Sequence, residues 1–514
     1  MKEYGAIFIG TGSGMNILGP MLNHEPGIKV AVIDKDAPGG ICLTRGCIPS
    51  KLLLYPADVL RTICSAEQFG IEASVKKVDF AKVMERMARM VSTDIEEIKK
   101  GLTSMPSVDY YPHPAEFTGP YTLSVAGESI KAPRIFLCTG SKPLVPPVKG
   151  LDKAGCLTSD TVLSLRKLPA SIGIIGGGYI AAEYGHFFSA MGSKVTIIGR
   201  DPQFLPQEEP EVSALAAAEM GKVLTLLTNH EVVEVERSLL GKKNIIAVNR
   251  ATNQRVSVGV DEVLVAVGRA SNSDILKPER AGIKVDGKGW IQVNEYLETS
   301  VPNIWAFGDA TGKHMFKHVA NYESVVVYYN AILKKSMKAD YHAVPHAVFT
   351  HPEIASVGLG EKEAIQKFGK ENVLVGVARY EDTAKGMAMG VTGAFVKLLA
   401  DRDSERLLGA HIIGPQASVL IQEVINLMYA PGGSVKPLKE AMHIHPALSE
   451  VVEHAAAALV PVELYYHMLE HRKEHQHDHA HGEGNGGGHQ HEAASEGHDH
   501  GQGHAHGKGD GHSH

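Results

Sequence analysis

Two cysteines stand five residues apart in Gly39-Gly40-Ile41-Cys42-Leu43-Thr44-Arg45-Gly46-Cys47-Ile48-Pro49-Ser50-Lys51. At that spacing, after a glycine pair and at the start of a helix, they can close a small disulfide ring. A helix N-terminus favours a thiolate, the form that attacks disulfides. Arg45, between the two, is expected to favour the thiolate further. The same pair could be half of a zinc site or two core thiols. A zinc half-site needs a second close pair of ligands, which Cys64, Cys138 and Cys156 do not supply. Five cysteines in 514 residues make no structural disulfide framework. In a reducing compartment, a close pair is then expected to be catalytic or metal-binding.

Two further sets of residues have chemical potential. In His443-Ile444-His445-Pro446-Ala447-Leu448-Ser449-Glu450, a carboxylate can orient an imidazole and stabilise its protonated form. From about His467 the chain becomes His, Gly, Asp and Glu, with histidines at short irregular spacings: His475, His477, His479, His481, His498 and His500. Neutral imidazoles on such a chain can gather around zinc, nickel or copper. The alternative is a solubilising tail. Either way it lacks the apolar surface needed to offset ordering entropy, so residues 467–514 are expected to be disordered.

The elements that must position these groups read as a doubled fold. Ala6-Ile7-Phe8-Ile9 runs into Gly10-Thr11-Gly12-Ser13-Gly14, and Ile172-Gly173-Ile174-Ile175 runs into Gly176-Gly177-Gly178-Tyr179-Ile180. Each unit continues into a helix and a second strand, Val30–Ile33 and Lys194–Ile198. This is the opening of a dinucleotide-binding fold, twice. Glycine lets the backbone approach a pyrophosphate, and the helix N-terminus attracts its charge. Asp34 ends the second strand of the first unit, where a carboxylate bonds ribose hydroxyls. Met15 stands at the third glycine position of that loop, beside Gly14, so helix–strand packing there is expected to be slightly wide. In the second unit Arg200 follows the strand where an acid would select NADH, and an arginine suits a 2′-phosphate. After Val344 the strands Ala347–Phe349, Gly393–Lys397 and Gly409–Ile413 suggest a third, α+β domain.

The cysteine stretch closely resembles the active-site motif of the class I pyridine nucleotide–disulfide oxidoreductases, which include dihydrolipoamide dehydrogenase and the glutathione, mycothione and mercuric reductases. Further motifs of that family stand in order from Met1 to about Tyr466. They are Leu137-Cys138-Thr139-Gly140-Ser141-Lys142-Pro143, Ala266-Val267-Gly268-Arg269, Pro302–Asp309, Phe349–Gly358 and His443–Glu450. The resemblance implies FAD at the first glycine loop and NADPH and/or NADH at the second. It implies that Cys47 lies next to the flavin and Cys42 exchanges with substrate. It also implies that Lys51 pairs with Glu183, Tyr179 covers the nicotinamide pocket, and His445 with Glu450 serves as acid–base. It implies cofactor contacts from Gly10, Gly12, Gly14, Asp34, Gly40, Lys51, Ala115, Thr139, Gly140, Ser141, Gly176, Gly178, Tyr179, Ile180, Glu183, Arg200, Gly268, Asp309 and Met315. A homodimer follows, because relatives place the dyad against the partner's cysteines.

No cysteine follows Cys156, and both active-site cysteines are present, which excludes mercuric reductase, the thioredoxin reductases of this class and soluble transhydrogenase. Cys-Ile-Pro-Ser-Lys and His-Pro-Ala-Leu-Ser-Glu lean to dihydrolipoamide dehydrogenase, whereas the first glycine loop and Lys317–Asn321 lean to mycothione reductase. The expectation is an enzyme of dihydrolipoamide dehydrogenase type acting on a small dithiol or disulfide. The alternatives are a reductase of mycothiol-like, glutathione or coenzyme A disulfides, and a metal-handling protein acting through its tail. Net charge of −7 gives no reason to expect nucleic acid or a membrane surface. No apolar run is long enough to span a bilayer, and a cytoplasmic location is expected. The expected fold class is α/β, with the FAD-binding domain at 1–148 and 272–341 and the NAD(P)-binding domain at 149–271. The dimerisation domain is expected at 342–466 and the tail at 467–514.

Overall fold

Parallel strands buried on both faces form the centre of each nucleotide-binding half. In a computed structural model describing residues 1–239 and 241–470, Ala6–Ile9, buried throughout, pairs with Val30–Ile33 on one side and Ile135–Leu137 on the other. Val108–Tyr111 and Ile304–Ala306 complete a five-stranded parallel sheet. The second sheet repeats the plan with Leu157–Thr158, Glu262–Val265, Ser171–Ile175, Lys194–Ile198 and Thr225–Leu227. Continuous apolar runs with helical crossovers produce such sheets. The chain crosses between the halves on a two-stranded ribbon, Ser141–Pro143 against Arg269–Ser271. A six-stranded antiparallel sheet follows, running from Pro345–Val348 to Val460–Pro461. Its strands Phe395–Asp401 and Leu407–Ile413 begin two residues to either side of the expected starts.

The cysteine segment folds as two helices, Gly40–Arg45 and Cys47–Cys64. Cys42 lies in the first, and Cys47 is the first residue of the second. Pro49 sits in that first turn, where its missing N–H breaks no helical bond. Leu53, Leu54 and Ala57 are buried on the inner face. The opposing helix is Tyr179–Met191. Three contacts tie the two together: Lys51 with Glu183 at 2.8 Å, Asp58 with His186 at 2.9 Å and Arg61 with Ser189 at 2.7 Å. Lys397 fastens the antiparallel sheet to the second nucleotide half. Burial opposes its charge, but Glu209, Glu211 and Glu361, at 2.7, 3.0 and 2.7 Å, outweigh that and raise its pKa.

Met1–Val462 form one compact unit and residues from Glu463 a second. Residues 463–470 are helical, so the disorder expected from 467 starts too early. Met468 and Leu469 supply the apolar residues that the composition reading passed over. His475, His477, His479, His481, His498 and His500 lie outside the described residues.

Candidate active site

A single cavity of about 1150 Å³ runs from the first glycine loop to the second, with both cysteines on its wall. Every expected cofactor residue lines it except Gly14 and Ser141. Gly14 stands behind the loop, where a Cβ would meet Cys138 Sγ at 2.6 Å. Helix and strand are therefore close, not wide as expected from Met15, because Gly14 takes the packing role of the third glycine. Ser141 is buried and donates to Asp309 Oδ2 at 2.6 Å, while its own hydroxyl accepts from Arg269 Nε at 2.6 Å. Ser141 thus acts on the cavity through Asp309.

The residues at the first loop fit a flavin dinucleotide. Gly40, at φ +70°, brings the cysteine segment so close that a Cβ there would lie 2.5 Å from Gly12 Cα. Asp34 accepts from the Thr11 amide at 2.9 Å and hydroxyl at 2.5 Å, which sets the loop against the second strand. Thr139 Oγ1 is buried on the cavity wall without a hydrogen-bond partner among the described residues, so it is free for a ligand. At the second loop, Arg200 is exposed and lines the cavity, and half-buried Tyr179 lines it too.

Both thiols are free, and their environments push them apart. A hydrogen bond from Cys42, opposed by burial and aided by the Lys51 ammonium, lowers Cys47 to about 7. The same bond, burial and the neighbouring Cys47 charge raise Cys42. Arg45 does not serve the thiolate in the expected way. Its guanidinium pairs with Asp36 at 2.5 Å and Asp160 at 3.1 Å, and Lys51 is the cation that acts on Cys47. Lys51 is held by Glu183 at 2.8 and 2.9 Å and lies 4.6 Å from the centre of the Phe349 ring. The Phe349 amide donates to Glu183 at 3.2 Å.

His445 Nδ1 lies 2.7 Å from Glu450 Oε1, and the Ala447 amide donates to Glu450 Oε2 at 3.0 Å. The imidazole beside it holds the Glu450 carboxyl below its usual range. The His445 side chain is 71 % exposed, whereas His443 is 9 % exposed, between Glu423 and Glu453. Neither His445 nor Glu450 lines the cavity of its own chain. Sequence reasoning missed Lys317, which donates to Ser13 at 2.9 Å on the cavity wall, and Asn272, which donates to the Thr139 carbonyl at 2.9 Å. Lys317 stood in a motif used only for comparing relatives; Asn272 carried no sequence signal.

Residues 5–331 match the family model of the pyridine nucleotide-disulphide oxidoreductases, and residues 344–456 match that family's dimerisation domain. The chain belongs to that family. It is an oxidoreductase, and its family uses FAD and NAD(P)H. It is 36 % identical over 470 residues to a mycothione reductase of Mycobacterium tuberculosis, covering 89 % of this chain and all of the relative. It is 35 % identical over 472 residues to a dihydrolipoyl dehydrogenase of Synechocystis, covering 88 % and 98 %. A structure of the HOCl-induced flavoprotein disulfide reductase RclA from Escherichia coli, in a Cu(II) complex, aligns with a TM-score of 0.79. It is 27 % identical and covers 89 % of this chain and 99 % of that one. Lipoamide, the favoured expectation, is not singled out by relatives at 36 % and 35 %. Among the described residues no helix is long and apolar enough to cross a membrane, and no cluster of three or more ligands could hold a metal.

Proposed function

We propose that the protein is an NAD(P)H-dependent reductase of a low-molecular-weight disulfide, working as a homodimer. The observation that carries this reading is the divided thiol pair on the wall of a cavity shared by both glycine loops. When bound, FAD would accept two electrons from the reduced nicotinamide and pass them to the Cys42–Cys47 disulfide. Cys47, with its lowered pKa, stays as the thiolate beside Lys51. Cys42, as thiolate after giving up its proton to the acid–base, attacks one sulfur of the substrate disulfide. That forms a mixed disulfide and releases one thiolate, which takes a proton from His445 of a second copy. Cys47 then attacks Cys42, closing the protein disulfide and releasing the second half of the substrate as a thiolate, which takes its proton from solvent. Two electrons thus leave the dithiol for the substrate.

Arg200 at the second loop favours NADPH and hence the reductive direction. A dihydrolipoamide dehydrogenase, run the other way, is the second reading, supported by the 35 % identical relative. A panel of mycothiol, glutathione, coenzyme A and lipoamide disulfides, assayed with NADPH and NADH, separates the two. Fastest turnover of lipoamide with NADH would overturn the first reading in favour of the second. The spacing of histidines in the tail supports an added role in binding copper or other divalent ions. Calorimetric titration of full-length and tail-deleted protein with Cu(II) should show several ions lost with the tail; equal stoichiometry would refute it.

A further inference from the structure

The residue that covers the second loop is fastened from outside the nucleotide fold. Tyr179, first in its helix, stacks on His346 at 5.3 Å between ring centres and on Phe316 at 6.5 Å. Phe316 and His346 are themselves stacked at 5.9 Å, with planes 7° apart. All three line the cavity. Behind them the Glu208 side chain is fully buried, at 0 % exposure. Its Oε1 lies 2.8 Å from His346 Nε2, and its Oε2 accepts from Ser356 Oγ at 2.8 Å. Burial opposes the charge on Glu208, but the bonds from His346 and Ser356 outweigh it and hold the carboxyl below its usual range. A buried carboxylate satisfied in this way resists losing a partner, which fixes the imidazole on which Tyr179 rests. Burial, then the Glu208 charge and a hydrogen bond to Glu208, also raise the Tyr179 phenol, which therefore stays neutral, so Glu208 engages Tyr179 directly as well as through His346.

We propose that Glu208 and His346 form a latch that holds Tyr179 over the nicotinamide end of the cavity, so that nucleotide entry must break the Tyr179–His346 stack. This rests on reading the second loop as the nicotinamide nucleotide site. Both are positioning residues, acting through Tyr179. A closed lid weakens binding in proportion to the fraction of open molecules. The penalty falls only on ligands whose nicotinamide end needs the space beneath Tyr179. On the same reading the adenosine end lies toward exposed Arg200 and does not need that space.

Calorimetric binding to the FAD-loaded protein tests this, with NADP⁺ against 2′,5′-ADP and NAD⁺ against ADP, so that each full nucleotide has a truncated control. His346→Ala, Glu208→Gln and Tyr179→Ala should tighten the full nucleotide by up to about tenfold, the gain for a lid open about a tenth of the time. The truncated ligand should bind all variants as it binds the native protein. His346→Gln keeps a donor for Glu208 and loses the stacked ring, so it carries the same expectation if the alanine variant fails to fold. Tightening in Tyr179→Ala alone would overturn the latch and leave the lid. Weaker binding in the His346 variants would overturn it too, by making His346 a direct ligand. Failure of the native protein to bind any of the four would overturn the reading of the second loop itself.

Discussion

The two glycine loops share a backbone plan and differ in what covers them. At the first, the main chain of the cysteine segment presses on the loop, with Gly40 packed against Gly12. At the second, one side chain, the ring of Tyr179, rests on His346, and on the proposed reading it is the cover. On the proposed reading, a flavin at the first loop would lie against main chain that also carries Cys42 and Cys47, and a nucleotide at the second against a single side chain. The difference suits a resident flavin on one side and an exchanging nucleotide on the other, with the dithiol attached to the main-chain side.

The strongest way to break that comparison is Gly40→Ala. The new methyl would meet Gly12 at 2.5 Å in a left-handed backbone. Nearly complete loss of flavin is expected, read as the flavin-to-protein absorbance ratio after gel filtration. Gly178→Ala, where an added Cβ meets nothing within 4 Å, should retain flavin fully. Flavin loss in both variants or neither would erase the distinction between the loops.

A smaller effect should separate the dithiol from both loops. His445→Gln is expected to slow disulfide turnover by about two to four decades, the range for losing a positioned acid–base. Flavin content and nucleotide binding should stay unchanged. His443→Gln, which removes a packed histidine between two carboxylates, should cost much less. Mixing an inactive His445 variant with an inactive Cys42 variant should restore part of the activity if the site forms across a dimer. Equal losses at the two histidines would remove the basis for choosing His445.

The smallest effect concerns the open side alone. Arg200→Glu should shift the preference between NADPH and NADH, in kcat/KM, toward NADH by about tenfold, roughly the worth of one exposed phosphate contact. Flavin binding should not change. An unaltered preference would show that another residue reads the 2′ position.

The parts legible in the sequence are those that act through neighbours in the chain. Strand, glycine turn and helix are consecutive, and Cys42 and Cys47 are close in the chain, so pattern and helix-end electrostatics are enough to single them out, while the pairing of Lys51 with Glu183 rests on the family resemblance. What could not be read depends on partners far away in sequence. Arg45 reads as a cation for the thiolates, but Asp160, far away in the chain, pairs with it. Met15 suggested loose packing because the contact of Gly14 with Cys138 crosses the sheet. Glu208 and His346 are 138 residues apart, and neither stands in a motif. The tail boundary was misplaced because composition averages over the last apolar residues before the histidines.

The central claim is that the two cysteines are unequal, with Cys47 the standing thiolate and Cys42 the exchanging thiol. Anaerobic two-electron reduction of the FAD-loaded protein, followed by absorbance across pH, tests it most directly. A long-wavelength band from a thiolate against the flavin should be present above pH 7 and fade as Cys47 takes up a proton below its pKa of about 7. Cys42→Ser should show the band without reductant, and Cys47→Ser should lack it. A band that survives in Cys47→Ser and is missing from Cys42→Ser would reverse the assignment and contradict the account.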